Sequence, residues 1–332
     1  MTKGLNYYID KILTSYNTHL KDHSNIVIGL SGGIDSVFLL YILAQIRLQI
    51  PITISAIHIN HGISPNADNW EDFCKTICKN FDVPIQISKY TVTKKGGESL
   101  ENNARIIRYH AFENIENKVL ALAHHRDDQI ETLLTQLFRG SDIHNLASMR
   151  AITKSKNSAN NILYWRPLLD ITKNEIKDIV NLHQLPHIED ESNTDVRYLR
   201  NFIRHNVLPM LTEWDNNISM KLSHLITNLQ STSKLLDDVA EDDFNYVKKQ
   251  DHHSILVDKF KTLSTERQIN VLCYYIHSHG ISLPSHSKIK EFVRQAITSK
   301  WDANPSLSLG QYHKIIKHKS VIACISIKKL SL

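Results

Sequence analysis

The stretch IVIGLSGGIDSVFLL, residues 26–40, decides the fold. An apolar run ends in Ser31, Gly32 and Gly33, and a second begins after Ile34, Asp35 and Ser36. The first run has the length and composition of a strand, the second that of a helix, and the glycines mark the turn between them. Glycines let the backbone adopt positive φ and approach an anion closely, and successive amides at a helix N-terminus form a nest for phosphate. Neither G-x-x-x-x-G-K-[ST] nor G-x-G-x-x-G is present, and no lysine stands near the turn. Positive charge for a phosphate must then come from another part of the chain. Asp35 would repel phosphate unless a cation bridges the two, so Mg²⁺ between Asp35 and phosphate oxygens is the economical reading. The alternative is a plain glycine turn with Asp35 or Ser36 capping the helix.

Outward from this turn, strands are expected over 26–30, 52–60, 84–88, 118–123 and 162–165. Helices are expected over 36–47, 67–81, 100–116, 126–138 and 172–183, the last opened by a Thr172/Glu175 capping box. Alternating strands and helices with Ile/Val/Leu-rich strands define an α/β fold, a parallel sheet with helices on both faces. Ligands of such folds bind beyond the carboxyl ends of the strands, where SGGIDS, HINHG and AHHRDDQIET should converge. Residues 153–161, TKSKNSANN, read as a polar loop. After RNFIRHNVLPML the alternation stops. Helical patterns over 218–249, 267–277 and 288–298 and a strand-like 313–327 describe a smaller, mainly helical domain. The expected division is 1–213, a linking helix over 214–245, and 246–332.

The 332 residues are 42% hydrophobic and 22% charged, the composition of an ordinary globular protein, and no run is apolar enough to span a bilayer. The N-terminus lacks the features of a secretory signal, so a cytoplasmic location is expected. Cys74 and Cys78 fall on the apolar stripe of the 67–81 helix, and Cys273 and Cys324 stand in apolar runs; all four read as core thiols. A net charge of +5 points mildly to a polyanionic partner, and five lysines without an acid after residue 311 sharpen it. The nineteen histidines show no metal-ligand spacing.

Arg105 and Arg108, three apart in ENNARIIRYHAF, are candidates for the missing counter-charge, although surface arginines at that spacing are common. Asp127, Asp128 and Glu131 open the 126–138 helix, Asp128 and Glu131 sharing a face. Acids in a first turn also simply offset the helix dipole. His58 and His61 suit either adenine or ribose contact or a structural role.

S-G-G-x-D-S after a strand resembles the PP-loop of the N-type ATP pyrophosphatases, which split ATP into AMP and pyrophosphate while adenylating a substrate. AIHINHG, ENNARIIRYHAF, AHHRDDQIETLLTQLFRG, WRPLL and IEDESNTDVRYLRNFIRHNVLP follow in order, and together they resemble the tRNA(Ile)-lysidine synthetase family. The likeness covers about residues 20–211 and continues more loosely beyond. It implies a ligase that adenylates the wobble cytidine of the isoleucine tRNA with a CAU anticodon and then joins free L-lysine to it. It implies ATP at Ser31, Gly32, Gly33, Ile34, Asp35 and Ser36, with Arg105 and Arg108 and with Mg²⁺ on Asp35. Asp128 and Glu131 become the lysine and cytidine site, and His124 or His125, with His124 preferred, accepts the proton lysine must lose. The family's R-N-x-x-R element falls on Arg200, Asn201 and Arg204, implying contact with nucleotide or tRNA. The chain departs from the family at Ser148, where L-x-G-M has glycine. Several family members carry a third, C-terminal domain, and this sequence ends soon after the second, so tRNA binding is expected from the first two. Rivals are a related thiolase or amide synthetase and a tRNA-binding protein without catalysis; a homodimer is left open.

Overall fold

The computed structural model describes residues 3–62, 64–90, 107–108, 111–112, 119–155, 162–189, 196–250, 253–281, 283–310 and 312–327. The chain divides into two compact units, one of Met1–Gln136 with Ser148–Ile226, the other of Leu137–Ala147 with Thr227–Leu332.

In the first unit, strands β1 (Asn25–Gly29), β2 (Thr53–Asn60), β3 (Ile85–Lys89), β4 (Val119–Ala121), β5 (Ile152–Lys154) and β6 (Leu163–Trp165) form one sheet in the order β3-β2-β1-β4-β6-β5. All neighbours are parallel except β5, which runs antiparallel on the edge. Successive residues of β1 feed two cores. Ile26 and Ile28 pack with Phe38, Leu39 and Trp165, whereas Val27 packs with Ile57, Leu120 and Tyr164. Burial on both faces is why these strands read as continuous apolar runs instead of alternating ones. The order reverses at β1, with β2 on one side and β4 on the other, so a crevice opens past the carboxyl ends of β1 and β4.

Helix α2 (Ile34–Ile46) is the central one, buried at Val37, Phe38, Leu39, Leu40, Ile42 and Leu43. Helices α3 (Ala67–Asn80), α4 (Arg126–Phe138) and α5 (Lys173–Leu182) match the sequence expectation within a residue or two, and the Thr172/Glu175 capping box is formed. The expected 100–116 helix lies largely outside the described residues; 107–108 and 111–112 are helical, and Phe112 is buried. A helix at Leu5–His19, α1, was not foreseen, and it buries Tyr8, Ile9, Ile12 and Tyr16. The polar loop expected over 153–161 is corrected at its start. Thr153 and Lys154 belong to β5, and the Thr153 hydroxyl accepts from the buried Arg166 guanidinium at 2.8 Å. A three-residue polar edge strand carries no periodicity to detect; residues 156–161 lie outside the described set. Ser148 adopts φ 54°, in the left-handed region that suits the glycine of the family pattern.

After α5 come a helical turn at Leu199–Phe202, a π-helical turn at Ile203–Val207 and helix α6 (Leu208–Trp214). Pro209 has no N–H to return to the helix before it, which accounts for the widened turn there.

The second unit contains most of the long helix α7 (Ile218–Val247), helices α8 (Thr265–Ser278) and α9 (His286–Thr298), and a four-stranded antiparallel sheet. Its strands are β7 (Ser254–Leu256), β8 (Ser306–Leu309), β9 (His313–His318) and β10 (Val321–Ser326), in the order β7-β10-β9-β8. Val271, Leu272, Tyr275, Ile276, Phe292 and Ile315 share its core. Lys317 is buried there, donating to the Lys300 carbonyl at 2.8 Å and the Ser299 hydroxyl at 3.0 Å just past the C-terminal end of α9. A cation at that end meets the negative pole of the helix. No described helix is long and apolar enough to cross a membrane.

Cys74, Cys78 and Cys273 are buried, and Cys324 is half-buried. Burial pushes the first three thiols up to about 12, 11 and 12. At pH 8 the native protein should therefore react with at most one equivalent of a thiol reagent, rising to four on denaturation. Rapid native labelling of two or more thiols would contradict the packing.

Candidate active site

The turn after β1 is built from its own side chains. Gly32 has φ +89°, and a Cβ there would lie 2.7 Å from Ile188 Cδ1 and 3.3 Å from Cys74 Sγ. Gly33 has an ordinary φ of −69° and serves as N-cap of α2, so only the first glycine needs positive φ. The Ser31 and Gly32 amides both donate to Ser36 Oγ at 3.2 Å, which itself donates to the Gly33 carbonyl at 2.9 Å. The Gly33 amide donates to Ser31 Oγ at 3.3 Å. Three amides that the sequence suggested for an anion are thus held by the turn's own hydroxyls, and an anion reaches them only by exchange. No described side chain caps the first turn of α2, so neither Asp35 nor Ser36 is a helix cap and the positive helix pole faces the turn. Ile34 is half-buried behind it. His58 supports the turn from β2: its Nδ1 lies 2.9 Å from the Leu30 carbonyl and 3.4 Å from Cys74 Sγ. Burial lowers the pKa of His58, the bond to Leu30 opposing it, which fits the structural alternative.

Asp35 points toward β4. Lys173 Nζ lies 2.6 Å from each of its carboxylate oxygens, across 138 residues of chain. The Lys173 amide donates to Asp127 Oδ2 at 2.8 Å. Lys173 opens α5, and the adjacent capping box fixes its position, so the first turns of α2, α4 and α5 meet here. Sequence reasoning missed this residue. Its signal was the Thr172/Glu175 box, which places Lys173 at the start of a helix, but nothing local shows which sheet edge that helix meets.

The start of α4 continues the site. His125 is buried among three carboxylates: Nε2 is 3.7 Å from Asp35 Oδ1 and 3.5 Å from Asp128 Oδ2, and Nδ1 is 3.5 Å from Asp127 Oδ2. Burial lowers its pKa, but Asp127, Asp128 and Asp35 together outweigh burial and raise it. Burial would raise Asp128, yet the charges of His125, Arg200 and His124, with the His125 amide, bring it down to about 2. His124 is half-buried beside them.

Glu131 is 1% exposed. It accepts from Arg200 Nε at 2.7 Å and from Arg204 Nε and Nη2 at 2.6 and 2.9 Å. Asp128 Oδ1 accepts from Arg200 Nη2 at 2.7 Å. The carboxylates expected to receive lysine therefore already hold the two arginines expected to touch nucleotide or tRNA. Asn201, between them in sequence, is half-buried. Arg108 is exposed, and its charge adds to burial in lowering His61 to about 4, so His61 is neutral at physiological pH. Arg105 lies outside the described residues.

The two titrations carry opposite signs. Asp128, depressed from 3.8, contributes stability above pH 3.8 that is lost as pH falls toward 2. His125, raised from 6.5, contributes stability below pH 6.5 that is lost as pH rises through its folded value. Their joint contribution is complete only between about pH 4 and 6.5. Melting against pH should show an alkaline decline that is reduced in His125→Asn; an identical decline in the variant would refute the assignment.

The sheet order, the glycine turn at the switch point and the acids facing it define a PP-loop protein. The PP-loop domain family matches residues 1–211, and the TilS substrate binding domain matches 256–320. The chain is 34% identical over 306 residues to the tRNA(Ile)-lysidine synthase of Actinobacillus pleuropneumoniae serotype 3, covering 92% of this chain and 71% of that protein. It is 35% identical to that of Coxiella burnetii, covering 91% and 66%, and 37% identical to that of Chromobacterium violaceum, covering 86% and 64%. The chain belongs to the tRNA(Ile)-lysidine synthase family. Among solved structures, the U34-tRNA thiolase NcsA from Methanococcus maripaludis shares the fold at TM-score 0.55 and 19% identity, covering 68% of this chain and 80% of that one.

Proposed function

We propose that the protein is an ATP-dependent ligase that converts the wobble cytidine of isoleucine tRNA with a CAU anticodon to lysidine. The observation that carries this reading is the meeting of the 31–36 turn with the carboxylate-lined start of α4, in a chain of this family. The cytidine, splayed into the site, uses its C2 oxygen to attack the α-phosphorus of ATP; the α–β P–O bond breaks and pyrophosphate leaves. The ε-amine of free lysine, having given up a proton, attacks C2; the C2–O bond breaks and AMP leaves. The products are lysidine, AMP and pyrophosphate.

The turn suits ATP because the backbone bend at Gly32 leads directly into the open N-terminus of α2. Asp35 is a hard oxygen donor with its side chain 28% exposed, which fits Mg²⁺, an ion that takes one or two carboxylates plus substrate phosphates. Bound there, the ion would offset charge on the phosphates. Asp128 and Glu131 are the proposed receptor for lysine, its ammonium entering in exchange for one of the arginines. The carboxylates around His125 favour its protonated form, which makes it less available to accept a proton and leaves His124 as the proposed acceptor. Arg105 and Arg108 remain candidates for ATP contact, and Arg200, Asn201 and Arg204 for nucleotide or tRNA contact. The division at 213 and 245, tRNA binding by 246–332, and action in the cytoplasm belong to the same proposal. Buried thiols with raised pKa values disfavour the thiolase alternative.

The test is incubation of the protein with ATP, labelled lysine and total tRNA. Label should enter one isoleucine tRNA, with AMP and pyrophosphate released in equal amounts. Label remaining free in the presence of folded, ATP-binding protein would refute the reading.

A further inference from the structure

The geometry points to Lys173 as the phosphate-binding residue of the 31–36 turn, holding the β- and γ-phosphates of ATP and the pyrophosphate derived from them. The inference rests on the ATP reading above and deepens it. A turn of this kind needs a cation that its own sequence does not provide. Lys173 brings one to the first turn of α2, two residues past the N-cap, with its ammonium on Asp35.

Three features suit it to a ligand beyond Asp35. Its side chain is 29% exposed and that of Asp35 28%, so the pair stands at the mouth of the site. Its backbone is fixed by the hydrogen bond its amide donates to Asp127 and by the capping box, so the ammonium is positioned without a ligand. Its partner is the carboxylate expected to take a divalent ion. With magnesium and phosphate bound, Asp35 would hold the metal and Lys173 would hold phosphate oxygens. In the unliganded state the same contact neutralises both groups. Lysine supplies a compact ammonium with three donors, which suits phosphate oxygens as a point charge.

The test compares ATP, AMP and pyrophosphate binding to the full chain by equilibrium methods. With magnesium, Lys173→Met should weaken ATP and pyrophosphate about 10- to 100-fold, the span of a lost charge-assisted contact, and leave AMP within about twofold. Lys173→Arg should restore most of the ATP affinity. Without magnesium, Asp35→Asn frees Lys173 and should tighten pyrophosphate binding, and the double variant Asp35→Asn/Lys173→Met should lose that gain. A lysine that only ties α5 to α2 predicts otherwise: ATP and AMP weaken together, or neither weakens, and Asp35→Asn does not tighten pyrophosphate. Either result overturns the assignment. Wild-type protein that binds neither ATP nor pyrophosphate would overturn the nucleotide reading itself, a distinguishable failure.

Discussion

Gly32→Ala is expected to lower pyrophosphate release at least 100-fold and to reduce the melting temperature of the first unit by about 5–10 °C. A residue with a Cβ at φ +89° costs about 1–2 kcal/mol, and crowding against Ile188 and Cys74 adds about 1 kcal/mol. The Ile188 Cδ1 methyl can swing aside, so most of the cost is the left-handed φ. The Gly32 carbonyl is tied to the Ile188 amide at 2.9 Å, and its neighbour Gly33 forms a parallel bridge with Ile188. The strain therefore moves the turn itself, and a shift of about 1 Å at a reacting phosphate is enough for a 100-fold loss. Gly33→Ala is the control. Its φ is −69° and its nearest obstacle would be Ser31 Oγ at 3.5 Å, so that variant should melt within about 2 °C of wild type. Equal destabilisation by the two variants would contradict the geometry of the turn.

The second large effect is expected at Glu131. Glu131→Ala removes the buried carboxylate that Arg200 and Arg204 share, and should cost about 3 kcal/mol, near the lower end for breaking a buried pair. The lower end applies because the arginine side chains are 31% and 33% exposed and recover some hydration. Removing both arginines should cost more, about 5 kcal/mol, because Glu131 is 1% exposed and would be left charged without a partner. Denaturant unfolding of the three variants checks the order, and the combined acid and arginine variant should be less destabilised than the sum.

Most strands and the helices α3, α4 and α5 of the first unit were legible because two-sided burial writes an apolar run and a 3.6-residue period writes the helices, whereas α1 escaped. The convergence of SGGIDS with AHHRDDQIET was also legible, since both follow parallel strands, and the 3.7 Å approach of His125 to Asp35 is the result. What the sequence could not display is partner choice. Arg200 and Arg204 carry the look of phosphate-binding residues, yet each faces a carboxylate about 70 positions upstream. Lys173 looked like an ordinary first-turn lysine. The β5 edge, three residues of mixed polarity, lacks the length for a period to appear. In the second unit, helices α8 and α9 announced themselves by apolar spacing, while the short strands β7 and β8 did not.

The site's ion pairs also set an order of events during synthesis. Asp35 meets Lys173 across 138 residues, and Glu131 meets Arg204 across 73. Contacts this distant in sequence close late, since the chain between them must be ordered first. On a ribosome, the strands β1 to β4 can pair while Glu131 still lacks its cations, so the nascent unit carries an unmatched acid that has to stay hydrated. The start of α4 therefore cannot settle into its final burial until residue 204 has left the exit tunnel. Pausing translation just before and just after that point should give chains that differ sharply in protease resistance around residues 126–138.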